Sequence, residues 1–244
     1  MNWDRGKFEE DRELRLTQQA EDTGLISLSK EFLAASYRRD YCYQWDWAGF
    51  PILQMPEDIV AYQEIVLTCK PTVIIECGVA WGGGIALAAS LMSMYQPDGK
   101  VLGIDLNLDP SLQDRLRVLG LPVTIDLIRA SSIDKDTVDW IKNKIGSEDS
   151  VMVVLDSHHT HQHVLAELKA YANFVSSGQF LIVGDTIIKD LADSTDRVRQ
   201  WSLTDNPHTA LEEFLLSNKD FNKDDRLSKK LLTTFHPGGY LRKS

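Results

Sequence analysis

Five short runs of β-branched and aliphatic residues, each followed by a stretch with helical spacing, constrain this chain more than any other feature. The runs are Thr72–Cys77, Val101–Leu106, Thr124–Ile128, Ser150–Leu155 and Gln179–Val183. The helical stretches between them are Ile85–Tyr95, Ser111–Leu119, Lys135–Ile145 and His161–Phe174. A strand that is apolar along its length is covered on both faces, and strands alternating with helices build a parallel sheet. Right-handed crossovers then leave few strand orders. The end of the chain breaks the pattern: residues 231–235, a turn at 236–239 and residues 240–242 read as an antiparallel β-hairpin closed by Pro237 and Gly238. The expected fold is α/β, a mostly parallel sheet with helices on both faces and a C-terminal antiparallel hairpin.

The chain's 244 residues suffice for one such domain and leave little room for a second. Residues 1–35 are charged and show helical spacing, and 40–55 are crowded with aromatics. The expected division is a helical and aromatic extension over 1–55 and one α/β domain over 56–244. The aromatic segment suits either a cover over the domain or subunit contact, or a wall of a substrate pocket.

A net charge of −10 argues against nucleic acid, whose binders present a basic face, and makes a small molecule the default partner. Cys42, Cys69 and Cys77 are odd in number and unevenly spaced, which is no disulfide framework. The charged N-terminus lacks a signal-peptide core, and apolar runs such as Ile85–Met92 fall short of the roughly 20 residues that span a bilayer. No membrane association and a cytoplasmic location are the expectation.

The first apolar run ends in Glu76, Cys77, Gly78, Val79, Ala80, Trp81 and Gly82, and a helix follows at once. Glycines there let the backbone turn sharply and let a ligand approach the free N–H groups of the helix. A dinucleotide loop would carry a glycine where Ala80 stands. The spacing E-x-G-x-x-x-G instead resembles the first motif of S-adenosylmethionine-binding methyltransferases, although such glycines also serve helix–strand packing. Asp105 ends the second run, where a carboxylate can accept from both hydroxyls of a ribose or simply cap a helix. Ser131 and Ser132, after the third run, stand where adenine would pass or where an ordinary turn would place them.

Four of the six histidines fall in the stretch VMVVLDSHHTHQH (151–163), directly after Asp156. One reading makes His159, His161 and His163 a transition-metal site, as in metal-dependent hydrolases. The other makes Asp156 and Asp185, at the ends of consecutive strands, oxygen ligands of a hard cation such as Mg²⁺. The second reading is favoured because both acids share the rim with Gly78 and Asp105, where open α/β sheets bind ligands. His161 and His163 then occupy the first turn of a helix, and His158 and His159 stay in the loop beside the acids.

Taken together, residues 41–47, 76–83, 153–161, 184–188, 206–210 and 237–241 resemble the cephalosporin hydroxylase-like methyltransferases, with the rhamnosyl O-methyltransferases as relatives. The resemblance implies a Rossmann-like class I fold, a homo-oligomer, S-adenosyl-L-methionine as methyl donor and a Mg²⁺ site. Glu76, Gly78, Ala80, Gly82, Asp105, Ser131, Ser132 and Asp156 would face the donor, and Asp156 and Asp185 the metal. The family often has a glutamate directly before the second acid; here stands Gly184, leaving that ligand to water or to Thr186. More distantly, catechol O-methyltransferases carry a catalytic lysine three residues after their metal aspartate, the offset of His159 from Asp156. His159, or its neighbour His158, is the expected base toward the hydroxyl of a small-molecule acceptor, since an imidazole accepts a proton at neutral pH. Two rivals are a hydrolase built on the histidines and a binding partner that kept the fold but lost the chemistry. The aromatic segment 41–50 and the stretch Trp201–Thr209 are expected to line the acceptor pocket.

Overall fold

The computed structural model describes residues 3–191 and 198–244. Two helices come first, α1 (Arg5–Glu21) and α2 (Thr23–Tyr37), each capped by an aspartate whose carboxylate accepts a backbone N–H of the first turn. A single 3₁₀ turn (Tyr41–Gln44) leads to a two-strand ribbon, β1 (Asp46–Trp47) and β2 (Phe50–Pro51). The alternation then follows as α3 (Pro56–Cys69), β3 (Val73–Cys77), α4 (Gly83–Met92), β4 (Lys100–Asp105), α5 (Leu112–Arg117), β5 (Thr124–Arg129) and α6 (Lys135–Lys142). It continues through β6 (Val151–Leu155), α7 (His161–Tyr171), β7 (Phe180–Val183) and α8 (Ile188–Leu191). Last come α9 (Pro207–Ser217), β8 (Phe221–Lys223), α10 (Asp225–Lys230) and β9 (Tyr240–Lys243).

The main sheet has the order β5-β4-β3-β6-β7-β9-β8. Strands β3 to β7 are parallel, and β9 runs antiparallel between β7 and β8. Period-two alternation sorts the strand side chains into two cores. Ile74 faces one, with Ile65 of α3 and Ile85 of α4; Val73 and Ile75 face the other, with Ile141 of α6, Leu168 of α7 and Phe214 of α9. Each such side chain is fully buried or nearly so and contributes about 1.5–3 kcal/mol by leaving water. Helix α4 is apolar on every side, as a helix held between sheet and cover must be.

The C-terminal strands are antiparallel as expected, but the pairing differs. Strand β9 pairs with Phe221–Lys223, and residues 231–235 form no strand. The reason lies in Asp58, buried at the start of α3. Its carboxylate accepts from the Thr234 hydroxyl, the Phe235 N–H and the Tyr240 hydroxyl, so this stretch is tied to a side chain rather than to a ladder. The Pro-Gly turn itself is present, with the Gly239 N–H donating to the His236 carbonyl.

Residues of the aromatic segment pack inward. Phe50 and Ile52 belong to the core, Trp47 Nε1–H donates to Ser90 Oγ of α4, and a Cβ on Gly83 would collide with the Pro51 carbonyl. By contrast α1 buries none of its residues and docks on α10 through Gln19, which donates to the carbonyls of Lys229 and Lys230, and an exposed Glu13–Arg226 pair. All three cysteines are free.

Candidate active site

The chain crosses from one side of β3 to the other between β5 and β6, which opens a crevice above the carboxyl ends of β3 and β6. Gly78 and Gly82 have φ of 97° and 91°, and Ala80 between them has φ 47°, a left-handed conformation unusual for alanine. Asp105 holds this loop: the N–H groups of Val79 and Ala80 donate to its Oδ2 at 3.0 and 2.9 Å, and that of Asn107 donates to Oδ1 at 2.7 Å. Gly78 is a glycine for a second reason, since a Cβ there would overlap the backbone carbonyl of Asp156. Beneath the loop lies the buried carboxyl of Glu76, against Gly84. Burial, and then the charges of Asp156 and Asp105, push it up to about 8, so it carries a proton at neutral pH.

Across the crevice the ends of β6 and β7 bring together Asp156, His159 and Asp185, with one ligand atom of each within 4.8 Å of the others. His159 Nε2 stands 3.4 Å from Asp185 Oδ2. Loss of water in the cleft pushes Asp156 up to about 6, with the charge of Asp185 adding to it, and desolvation pushes Asp185 up to about 6 as well. The same desolvation lowers His158 and His159, which favours neutral imidazoles. Asp185 itself has φ 51°, in the left-handed region. Gly184 acquires a physical reason here: a Cβ at that position would overlap the Asp156 carboxylate, so Asp156 occupies the space a longer residue would need. Thr186 does not replace the family's missing ligand. It is fully buried and its hydroxyl donates to the Pro237 carbonyl, 3.0 Å away. The third ligand-type side chain beside the two acids is His159.

The other histidines go separate ways, against the hydrolase reading. His161 leaves the crevice for α9, with Nδ1 2.9 Å from Thr209 Oγ1 and Nε2 3.1 Å from Glu213 Oε2. His163 turns toward Glu167, a fully buried carboxylate that accepts from Ser132 and Ser157 at 2.5 and 2.6 Å. Ser132 therefore spends its hydroxyl inward, although Ser131 and Ser132 both line the crevice. Among the described residues, Asp156, His159 and Asp185 are the only such metal-ligand group.

A cavity of about 740 Å³ joins the two halves, large enough for a nucleoside cofactor and a second small molecule. Gly78, Ala80, Asp105 and Ser131 line one end; Tyr37, Tyr43, Arg199 and Trp201 line the other, around the acids. Of the two stretches expected at the acceptor pocket, Cys42 and Tyr43 contribute from the first and Trp201 from the second. Trp201 stands edge-on to His159, ring centroids 4.7 Å apart. Residues 207–209 of the second stretch begin α9, which is closed by a capping box of Asn206 and Thr209 with Pro207 at its first position. Burial pushes the Cys42 thiol up to about 12, which removes it as a nucleophile.

The model of the family described as rhamnosyl O-methyltransferase/CmcI matches residues 39–244. The chain belongs to that family. As a member it is an S-adenosylmethionine-dependent O-methyltransferase. The rhamnosyl O-methyltransferase of Mycobacterium leprae (strain TN) is 28% identical over 173 residues, which cover 67% of this chain and 72% of that protein. The rhamnosyl O-methyltransferase of Mycobacterium tuberculosis (strain ATCC 25618 / H37Rv) is 31% identical over 167 residues, 64% of either chain. A solved structure of CmcI with Mg and SAM has a TM-score of 0.57 and 18% identity, covering 83% of this chain and 77% of that one, and confirms the class I fold. The match starts just before the aromatic segment and spans the ribbon at 46–51.

Two side chains of the site escape sequence reasoning. Gln54 donates to Asp156 Oδ2 at 2.8 Å, and His236 accepts from the Asp185 N–H at 3.0 Å. Gln54 lies in the aromatic segment and His236 in the expected hairpin turn, so neither stands in a motif with chemistry. The one signal available was His236 directly before Pro-Gly-Gly-Tyr in a family-like segment.

Proposed function

We propose that this protein methylates a hydroxyl of a small molecule of sugar or natural-product type, with Asp156 and Asp185 holding a divalent cation and His159 accepting the hydroxyl proton. The observation that carries this reading is one continuous cavity with the glycine loop at one end and Asp156, His159 and Asp185 at the other. The donor set fits Mg²⁺: two desolvated carboxylates supply hard oxygens, and the raised pKa of each marks negative charge that a cation would compensate. A bound divalent cation would supply Lewis acidity that lowers the pKa of the acceptor hydroxyl.

Asp105 and the loop from Gly78 to Gly82 would hold the nucleoside of S-adenosylmethionine, with Ser131 beside it. Among the described residues Oδ1 of Asp105 accepts one hydrogen bond, from the Asn107 N–H, and can accept another from a ribose hydroxyl. S-Adenosylmethionine, when bound, would supply a methyl on a sulfonium, whose C–S electron pair would stay on sulfur as the acceptor oxygen takes the methyl. His159, neutral and beside Asp185, takes the proton that the acceptor oxygen loses. His158 lies edge-on to His163 and Trp201 and supports the loop rather than the proton transfer. The remaining contribution is positioning of two reactants in one cavity. A catalytic role, rather than that of an impaired partner, is supported by His159 standing 3.4 Å from Asp185 and beside both acids.

The exposed apolar residues Phe8, Leu14, Leu28 and Phe32 on α1 and α2 support assembly into a homo-oligomer. The free thiols support a reducing, cytoplasmic setting. Transfer of labelled methyl from S-adenosylmethionine to a panel of rhamnosides and phenols, with and without chelator, tests the reading. Product on a hydroxyl, lost with chelator and with His159→Ala, is expected; turnover that survives both changes would refute the assigned roles.

A further inference from the structure

Gln54, just before α3, and His236, just before β9, meet between the two acids. The Asp185 N–H can only donate, so His236 Nδ1, 3.0 Å away, is the unprotonated nitrogen of the ring. In the neutral ring the proton is then on Nε2, which donates to Gln54 Oε1 at 2.8 Å. That bond fixes the amide of Gln54 and leaves its Nε2–H to donate to Asp156 Oδ2 at 2.8 Å. Three hydrogen bonds therefore run in one sense from the backbone of one acid to the carboxylate of the other.

Both relay residues are themselves held. The His236 N–H donates to Thr234 Oγ1, and that hydroxyl donates to the buried carboxylate of Asp58. Gln54 sits between Ile52 and Met55, whose side chains are 2% and 0% exposed. Both acids need such support. Asp185 keeps a left-handed backbone at φ 51°, and the Asp156 carboxylate rests over Gly184 with no side chain there to steer it.

We propose that Gln54 and His236 are positioning residues that couple Asp156 to Asp185, so that the pair meets a divalent cation as one preset unit. This rests on the cation reading above. Outer partners of this kind set the orientation of the groups that touch a metal, and their loss weakens metal affinity about 10–100-fold. The relay takes over orientation that this chain's Gly184 cannot give.

The test is titration of the full chain with Mn²⁺, a paramagnetic stand-in for Mg²⁺, followed by electron paramagnetic resonance. Gln54→Leu breaks the relay at one link. His236→Asn keeps an amide oxygen for the Asp185 N–H but is too short to reach Gln54. Each is expected to weaken Mn²⁺ binding about 10–100-fold, with S-adenosylhomocysteine binding kept. The double variant is expected to bind no more weakly than the worse single one, because both changes cut the same chain. Independently, ¹⁵N spectra of the wild type should show His236 protonated on Nε2 and bare on Nδ1, which decides the matter even where a variant fails to fold. Wild-type binding with unchanged variants, or effects that multiply, would overturn the relay and leave the cation site standing. A His236 protonated on Nδ1 would do the same. No Mn²⁺ binding by the wild type would overturn the cation reading, and the relay with it.

Discussion

The two halves of the crevice are built by different means. Around Gly78–Gly82 the work is done by backbone: three N–H groups converge on Asp105, and the loop's shape depends on positive φ at Gly78, Ala80 and Gly82. Around Asp156 it is done by side chains gathered from residues 54, 156, 159, 185 and 236, through hydrogen bonds that span up to 182 positions of sequence. The backbone half is drawn from one loop and the end of the neighbouring strand. The side-chain half depends on several loops being held at once, and any one of them can spoil it.

If this contrast is right, the two halves fail separately. The largest effect is expected from Asp156→Ala or Asp185→Ala: kcat/KM for methyl transfer falls roughly 10³-fold, the loss of a few kcal/mol of charge stabilisation, while calorimetry still finds S-adenosylhomocysteine binding. His159→Ala comes next, with kcat down about 10²-fold and cofactor and Mn²⁺ binding largely retained. A matching loss of Mn²⁺ affinity would make His159 a ligand instead of the base. The two glycines sharpen the comparison further. Gly78→Ala places a methyl against the Asp156 carbonyl at φ 97°; destabilisation of about 2–3 kcal/mol by urea unfolding, with cofactor binding lost, is the expected result. Gly184→Ala crowds only the Asp156 carboxylate, so it should weaken metal binding about tenfold and leave cofactor binding unchanged. Equal effects of both substitutions on both ligands would erase the distinction between the halves.

A further expected effect is on stability against pH. Asp156 and Asp185 are raised to about 6 and Glu76 to about 8, above the usual values of about 3.9 and 4.3. The folded chain therefore holds protons that the unfolded chain has released, and this stabilisation is complete at acid pH and lost as pH rises from about 4 to about 8. The melting temperature of the metal-free protein should fall as pH rises over that range, less steeply with Mg²⁺, which occupies the acids in place of protons.

The same contrast explains what could be read from the sequence. The parallel sheet was legible because apolar runs such as Val73–Cys77 are buried on both faces, which leaves no polar alternation to obscure them. The glycine loop was legible because its parts are neighbours in sequence. Asp156 and Asp185 were legible as a pair because consecutive strands end side by side on one rim. Gln54 and His236 were not, since an amide and an imidazole acquire meaning only from the groups they face. Residues 231–235 were misread for a related reason: five residues of strand-like composition are captured by the Asp58 carboxylate, and no local pattern announces a partner that lies 176 positions away. Thr186 looked available beside Asp185, but it is buried and its hydroxyl donates to the Pro237 carbonyl.

The most direct test of the central claim is calorimetric titration of the metal-free protein with S-adenosylhomocysteine, repeated with Mg²⁺ and with the Asp156→Ala variant. Binding is expected in all three cases, with an Mg²⁺-dependent gain in the wild type that Asp156→Ala abolishes. Absence of binding with and without Mg²⁺ would contradict that claim, because the crevice would then not be a cofactor site at all.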